Sequence, residues 1–429
     1  MSLLRHHIDD WFATARINPD FSRFGAQFTL LEGVVGEMLR GLGEAYDGAA
    51  SITGSGDAYE RCRRLDAGLR TVRHLFTWYT DKYDQRKDPA LGDVLAAADQ
   101  IVLSCWHEPF TRLRRTPPGG PLPYVEPRFD AYSTSREAVP AQLRGPADST
   151  VAELTRSLPI PLVCLPEWSA QEGWWLVVAA HETGHHLHGD LDPGLRAATR
   201  EALARTTGDE MWRAWAAEAF ADAYSVLMTG PAAAWIIEEL EHAGDSALFT
   251  PPYRPGPYPP PVVRLALLAE LVRAAGIDVA VPVPGLDRAR GVPGLARHLD
   301  AVPAAARALL DLRVESARVG PTSLRELSGL APEWFSPGGR GEKWTRRLTG
   351  GLAFPSGLKD ASAARVLIAA GVGAATGPVD EPTRRRVHRG LLDNLAACGP
   401  ERTLGAAPAR PEITRVAESL TARLLAGLR

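Results

Sequence analysis

The segment Trp174-Trp175-Leu176-Val177-Val178-Ala179-Ala180-His181-Glu182-Thr183-Gly184-His185-His186 decides how the rest of the 429-residue chain is read. It contains H-E-x-x-H after an apolar lead-in. On a helix, residues four apart face the same way, one turn of about 5.4 Å along the axis. His181 and His185 can therefore point imidazole nitrogens at one metal ion, and Glu182 falls beside the position left open for water. A carboxylate there can take a proton from water that the metal activates. Trp174 and Val178 continue the stripe that holds the histidines, so the helix is expected to be buried. The bland reading is a buried helix carrying two hydrogen-bonded histidines.

A catalytic zinc usually has three protein ligands and a water, so a third ligand is required. The extended form H-E-x-x-H-x-x-G-x-x-H is absent: His188 stands at the glycine position and Leu191 at that of the last histidine. His188 lies about 10 Å along a straight helix from His181, too far to close the same tetrahedron. Asp190 and Asp192 sit in a Gly/Pro turn. Glu218 is the better candidate, in Trp215-Ala216-Ala217-Glu218-Ala219-Phe220-Ala221-Asp222. Glu218 and Asp222 share a helix face at four-residue spacing. Glu218 can reach the metal, and Asp222 can accept the free N–H of a ligand histidine. The alanines there, and Gly184 opposite, allow the two helices close approach. A solvent-facing acidic pair is the alternative, against which stand the neighbouring Trp212, Trp215, Phe220, Tyr224 and Leu227.

H-E-x-x-H followed by E-x-x-A-D resembles the gluzincin metallopeptidases, and is similar to the pattern of soluble bacterial relatives of the CAAX prenyl-protease type. The resemblance spans about Leu158–Leu271. It implies a zincin-like catalytic core, one zinc per chain held by His181, His185 and Glu218, and a peptide or protein substrate. In that family a histidine-proline pair precedes an arginine by six residues, and both help to hold the transition state. Here Tyr258-Pro259-Pro260-Pro261-Val262-Val263-Arg264 keeps the proline and the gap, with tyrosine in place of histidine. A phenol can also donate to an oxyanion. Tyr258 is thus read either as a catalytic donor or as packing in a Pro-rich loop, and Arg264 as a site residue or a surface charge. Tyr253 and His242 are the next donors in line.

Outward from this core, Gly25–Tyr46, Asp57–Tyr83 and Pro89–Leu113 carry helical periodicity, with Asp57 and Glu60 spaced as a capping box. Thr116–Pro127 reads as a loop from its prolines and glycines. Ile160–Leu165, flanked by Pro159, Pro161 and Pro166, reads as a strand: an edge that pairs with an extended substrate, or an ordinary core strand. Gln171–Leu187, Gly208–Thr229, Val262–Ala275 and Pro411–Leu428 read as helices. The expected architecture is mainly α with a small β element. Residues 1–115 form a helical N-terminal region, 116–275 a zincin-like catalytic domain, and 276–429 a helical C-terminal region.

A formal net charge of -3 excludes a strongly basic protein built around nucleic acid. The basic runs Arg61–Arg64, Arg112–Arg115 and Arg384–Arg389 read as solvated helix faces. The four cysteines form no C-x-x-C pair, which speaks against a cysteine zinc knuckle and for a reducing, cytoplasmic setting. No apolar run reaches the roughly 20 residues that span a bilayer, and Met1–Asp20 lacks the features of a secretion signal. No G-x-x-x-x-G-K-[ST] or G-x-S-x-G occurs, and His74, His107, His298 and His388 are isolated. The expected activity is hydrolysis of a peptide bond by a zinc metallopeptidase, with a regulatory partner on the helical flanks a further expectation. The rival is a non-catalytic zinc-stabilised binding or regulatory protein with a degenerate peptidase fold.

Overall fold

A computed structural model describes residues 1–50, 55–126, 132–134, 160–242, 244–354, 358–399 and 410–426. Leu158, Pro159, Pro127 and Leu428, named above, lie outside the described residues. Long amphipathic runs near the N-terminus become α1 (Ser2–Ile17), α2 (Gly25–Ala50), α3 (Ser55–Asp84) and α4 (Gly92–Arg112). Asp57 is not an N-cap, because α3 already starts at Ser55; the carboxylate lies in the first turn. There it still meets the positive end of the helix dipole. Glu60 binds Arg63 and Arg64 at 2.9 and 3.0 Å instead of completing a capping box.

The expected loop Thr116–Pro127 contains a strand, β1 (Leu122–Glu126), which pairs parallel with β3 (Leu162–Pro166). Proline signals misled here, since an edge strand tolerates Pro123. On the other side of β3 runs antiparallel β2 (Tyr132–Thr134), giving the order β1-β3-β2. The edge reading of Ile160–Leu165 therefore fails, and the core-strand reading holds: β3 is central and buried throughout. The outer side of β1 is partly closed by Gln85, whose side chain binds the Val125 carbonyl at 2.8 Å and its N–H at 2.9 Å.

After β3, a 3-10 stretch (Gly173–Val177) leads into α5 (Val178–Asp190), so the continuous helix expected over Gln171–Leu187 is tighter at its start and ends later. Next come α6 (Leu195–Thr207), α7 (Glu210–Ala214), α8 (Ala216–Thr229) and α9 (Ala232–Leu240). The single helix expected over Gly208–Thr229 is broken. Gly208 ends α6 at φ 66°, Asp209 caps α7 through the Met211 N–H, and Trp215 separates α7 from α8. The chain continues through α10 (Asp245–Leu248), the Pro-rich loop, α11 (Pro261–Ala274), α12 (Leu286–Arg290) and α13 (Pro293–Leu310). A two-strand ladder of β4 (Arg313–Val314) and β5 (Thr322–Ser323) precedes α14 (Leu324–Ser328), α15 (Arg340–Gly350), α16 (Ala363–Ala375), α17 (Glu381–Ala397) and α18 (Arg410–Ala426).

The described structure is mainly α with a small β element. Its core brings in residues from every part of the chain, including Trp106, Tyr224, Leu268, Leu367 and Leu420. Helix α5 packs against α8 on one side and α4 on another, while α16 contacts α4, α8 and the 3-10 lead-in. The site helices are thus surrounded by both flanks of the sequence. No described helix is long and apolar enough to cross a membrane, and all four cysteines are free.

Candidate metal centre

Helices α5 and α8 meet at small residues. A Cβ on Gly184 would lie 3.1 Å from the Cα of Ala221 and 3.3 Å from the Cβ of Tyr224. That contact accepts glycine and resists anything larger, and it sets the two helices at the distance the site needs. His181 and His185 on α5 and Glu218 on α8 then converge. The Nε2 atoms of the two histidines are 3.1 Å apart; Glu218 Oε2 is 3.6 Å from His181 Nε2, and Oε1 is 3.5 Å from His185 Nε2. A tetrahedral ion with bonds of about 2.0–2.1 Å separates neighbouring donors by about 3.3–3.4 Å. The two legs to Glu218 end on different oxygens; taken with one ligand atom per residue, the triangle has its corners within 4.8 Å of one another, close enough to share one cation, and its donors are the nitrogen and carboxylate types that zinc takes.

Glu182 is buried beside this triangle, at 5% exposure. The His185 side chain keeps 18% of its surface, so the centre has an outlet to solvent. Asp222 is fully buried, with Oδ1 3.1 Å from His181 Nδ1, within ion-pairing distance though off the line of a hydrogen bond. It is not one of the three converging donors. His188 faces away: its Nε2 is 3.0 Å from Thr199 Oγ1 and its ring stacks on Phe220. His186, which the sequence reading left without a role, reaches the Leu162 carbonyl at 2.9 Å and ties α5 to β3.

Arg264, on the first turns of α11, is buried and is not a surface charge. Its Nε and Nη2 donate to Asp222 at 2.9 and 3.0 Å, Nη2 also donates to Glu218 at 3.0 Å, and Nη1 donates to Glu241 at 2.9 Å. Glu241 was missed in the sequence: it sits 23 residues before Arg264, with no periodic relation to either motif. Tyr258 is 61% exposed, on the loop leading into α11. Its phenol is nonetheless raised, first by desolvation and then by the Glu218 carboxylate, with Glu182 and Glu241 adding. Tyr253 and His242 are both exposed.

In the metal-free protein the charges sort themselves sharply. Burial alone depresses the His181 imidazole, but Asp222 and then Glu218 outweigh it and lift it to about 10. His185 is lowered to about 3, by burial and then by its neighbour His181. Burial also works against ionised Asp222, yet Arg264 and His181 hold it down at about 2. One proton therefore resides on His181, and a cation must displace it, since a histidine ligand has to be neutral.

Comparison with known proteins finds no matching family model, no matching curated protein and no matching solved structure. The functional reading rests on the geometry and chemistry of the centre.

Proposed function

We propose that the chain is a zinc metallopeptidase of gluzincin-like, zincin-type architecture, cleaving peptide bonds of a peptide or protein substrate. The observation that carries this reading is the convergence of His181, His185 and Glu218 with a buried glutamate, Glu182, adjacent in sequence and an outlet at His185. Zinc held there supplies Lewis-acid polarisation of a carbonyl and lowers the pKa of water. Glu182 takes a proton from the attacking water and passes it to the leaving amine. Asp222 orients His181 and favours its binding through Nε2.

Arg264 was expected to donate to the oxyanion and also to brace Glu218. Four of its five N–H groups are engaged by Asp222, Glu218 and Glu241. Its role is therefore to brace the ligand carboxylate, which leaves Tyr258, on the loop leading into α11, as the candidate donor to the oxyanion. The competing reading, a closed structural zinc, calls for four ligands and is usually rich in cysteine. The cluster among the described residues has three donors and no cysteine. Free cysteines suit a reducing compartment such as the cytoplasm. Zinc-loaded wild type and Glu182→Gln, compared on a peptide library, test the reading: cleavage by the first and its loss in the second, at equal metal content, is the expected outcome.

A further inference from the structure

We propose that Glu241, at the C-terminal end of α9, is a positioning residue of the metal centre. It fixes the Arg264 guanidinium in the one orientation that braces Glu218 and Asp222 together. The inference rests on the metal-centre reading and extends it to a residue outside both motifs.

Arg264 is planar, and its five N–H groups form a rigid fork. One edge, Nε with Nη2, lies against both oxygens of Asp222, and Nη2 also reaches Glu218. The Nη1 end points the other way, where Glu241 Oε1 takes it at 2.9 Å. The Arg264 side chain is only 6% exposed, so water is a poor substitute for a missing carboxylate. Without Glu241, a buried guanidinium loses the acceptor at one end of its plane. It is then held along its Asp222 edge and at Glu218 only, and can tilt about that edge, which loosens the bond to Glu218. Glu241 is the most solvent-accessible member of the network, at 22%. It lies at the junction of α9 with the segment leading to the Pro-rich loop of Tyr258. The network joins three separate helices, α8, α9 and α11, around one cation.

The test is Co2+ binding by the full chain, read by visible absorption, for wild type, Glu241→Ala, Glu241→Gln, Arg264→Lys and the double variant Arg264→Lys/Glu241→Ala. Lost outer-shell partners typically weaken metal binding by about 10–100-fold, and a residue acting through Arg264 should fall near about tenfold for Glu241→Ala, with a shifted spectrum. Glu241→Gln keeps an oxygen acceptor and should recover most of the affinity, which a charge effect alone would not. Lysine cannot span three carboxylates, so in the Arg264→Lys background removal of Glu241 should have no further effect. Wild-type affinity and spectrum in Glu241→Ala, or an equal loss in the Arg264→Lys background, would overturn the positioning role while leaving the metal centre standing. No Co2+ bound by wild type would overturn both.

Discussion

At the residue scale, the centre is five side chains from two short motifs plus an arginine that gathers two of them, Glu218 and Asp222. His185→Ala should abolish stoichiometric zinc binding, because it removes one of three donors within 4.8 Å of one another; elemental analysis after dialysis reads this directly, and full retention of zinc contradicts the ligand set. Asp222→Asn keeps the shape but discards the charge facing His181 and Arg264. Zinc affinity should fall by about 10–100-fold, measured by competition with a chelator. Tyr258→Phe should lower kcat by about 10²–10³ with zinc content unchanged if its phenol serves the oxyanion; a near-normal kcat makes the loop a cover and nothing more.

These residues were legible in the sequence for a physical reason. His181 with His185, and Glu218 with Asp222, are each one turn apart on a helix, so spacing alone places them on shared faces. Glu241 has no such signature, because its link to Arg264 joins two helices through a loop. Arg264 was placed near the centre, with a brace on Glu218, only through the family resemblance, and its bonds to Asp222 and Glu241 had no signal in the sequence.

At the element scale, the α5–α8 contact is the joint on which the centre depends. Gly184→Val would gain helix propensity but drive a branched side chain into the Ala221 backbone. Overpacking of this kind costs about 1–3 kcal/mol, so chemical denaturation of the chelated protein should show that loss, along with weaker zinc binding. Wild-type values would mean that the helices separate freely.

Helix α5 also carries an acid-sensitive pair. Burial lowers His188 to about 3, with Arg196 adding, and His185 is similarly low. An unfolded histidine titrates near about 6.5. As pH falls from about 6.5 towards 3, the unfolded chain takes up protons that the folded chain refuses, so stability is lost across that window. His181 has the opposite sign: its contribution is complete below about 6.5 and is lost as pH rises towards 10. In chelated protein, His188→Gln should flatten the decline in urea midpoint between pH 7 and 5. An unchanged slope removes His188 from the account.

Strands were harder to read than helices. Periodicity located Ile160–Leu165, yet whether it is an edge depends on partners at Leu122–Glu126 and Tyr132–Thr134, contacts that no local pattern encodes. The break at Trp215 was hidden for a related reason: apolar residues continue through it at helical spacing and no side chain caps α8, whereas the start of α7 is marked by the Gly208 turn and the Asp209 cap.

At the scale of the whole molecule, both flanks hold the helices of the candidate centre. Tyr224 of α8 donates to the Cys105 carbonyl of α4 at 2.5 Å. The Gly173 N–H, where the lead-in to α5 begins, donates to His388 Nδ1 of α17 at 3.0 Å. Arg365 of α16 is buried and reaches Glu108 of α4 at 3.3 Å and the Ser328 carbonyl at 2.8 Å. Glu108 also binds Arg112 at 2.9 Å. The pair is therefore asymmetric. Glu108→Ala strands a buried guanidinium and should cost about 3–5 kcal/mol, whereas Arg365→Met leaves Glu108 partnered and should be far milder. Equal losses in urea unfolding would contradict that asymmetry.

The most direct test of the central claim is cleavage of a proteome-derived peptide library by the zinc-loaded full chain, alongside Glu182→Gln loaded with the same zinc. The account predicts defined cleavage products from wild type, abolished by chelation and restored by zinc, with turnover in the variant lower by about 10²–10⁴-fold. Cleavage that survives Glu182→Gln unchanged, or no cleavage at all by wild type carrying one zinc, would contradict it.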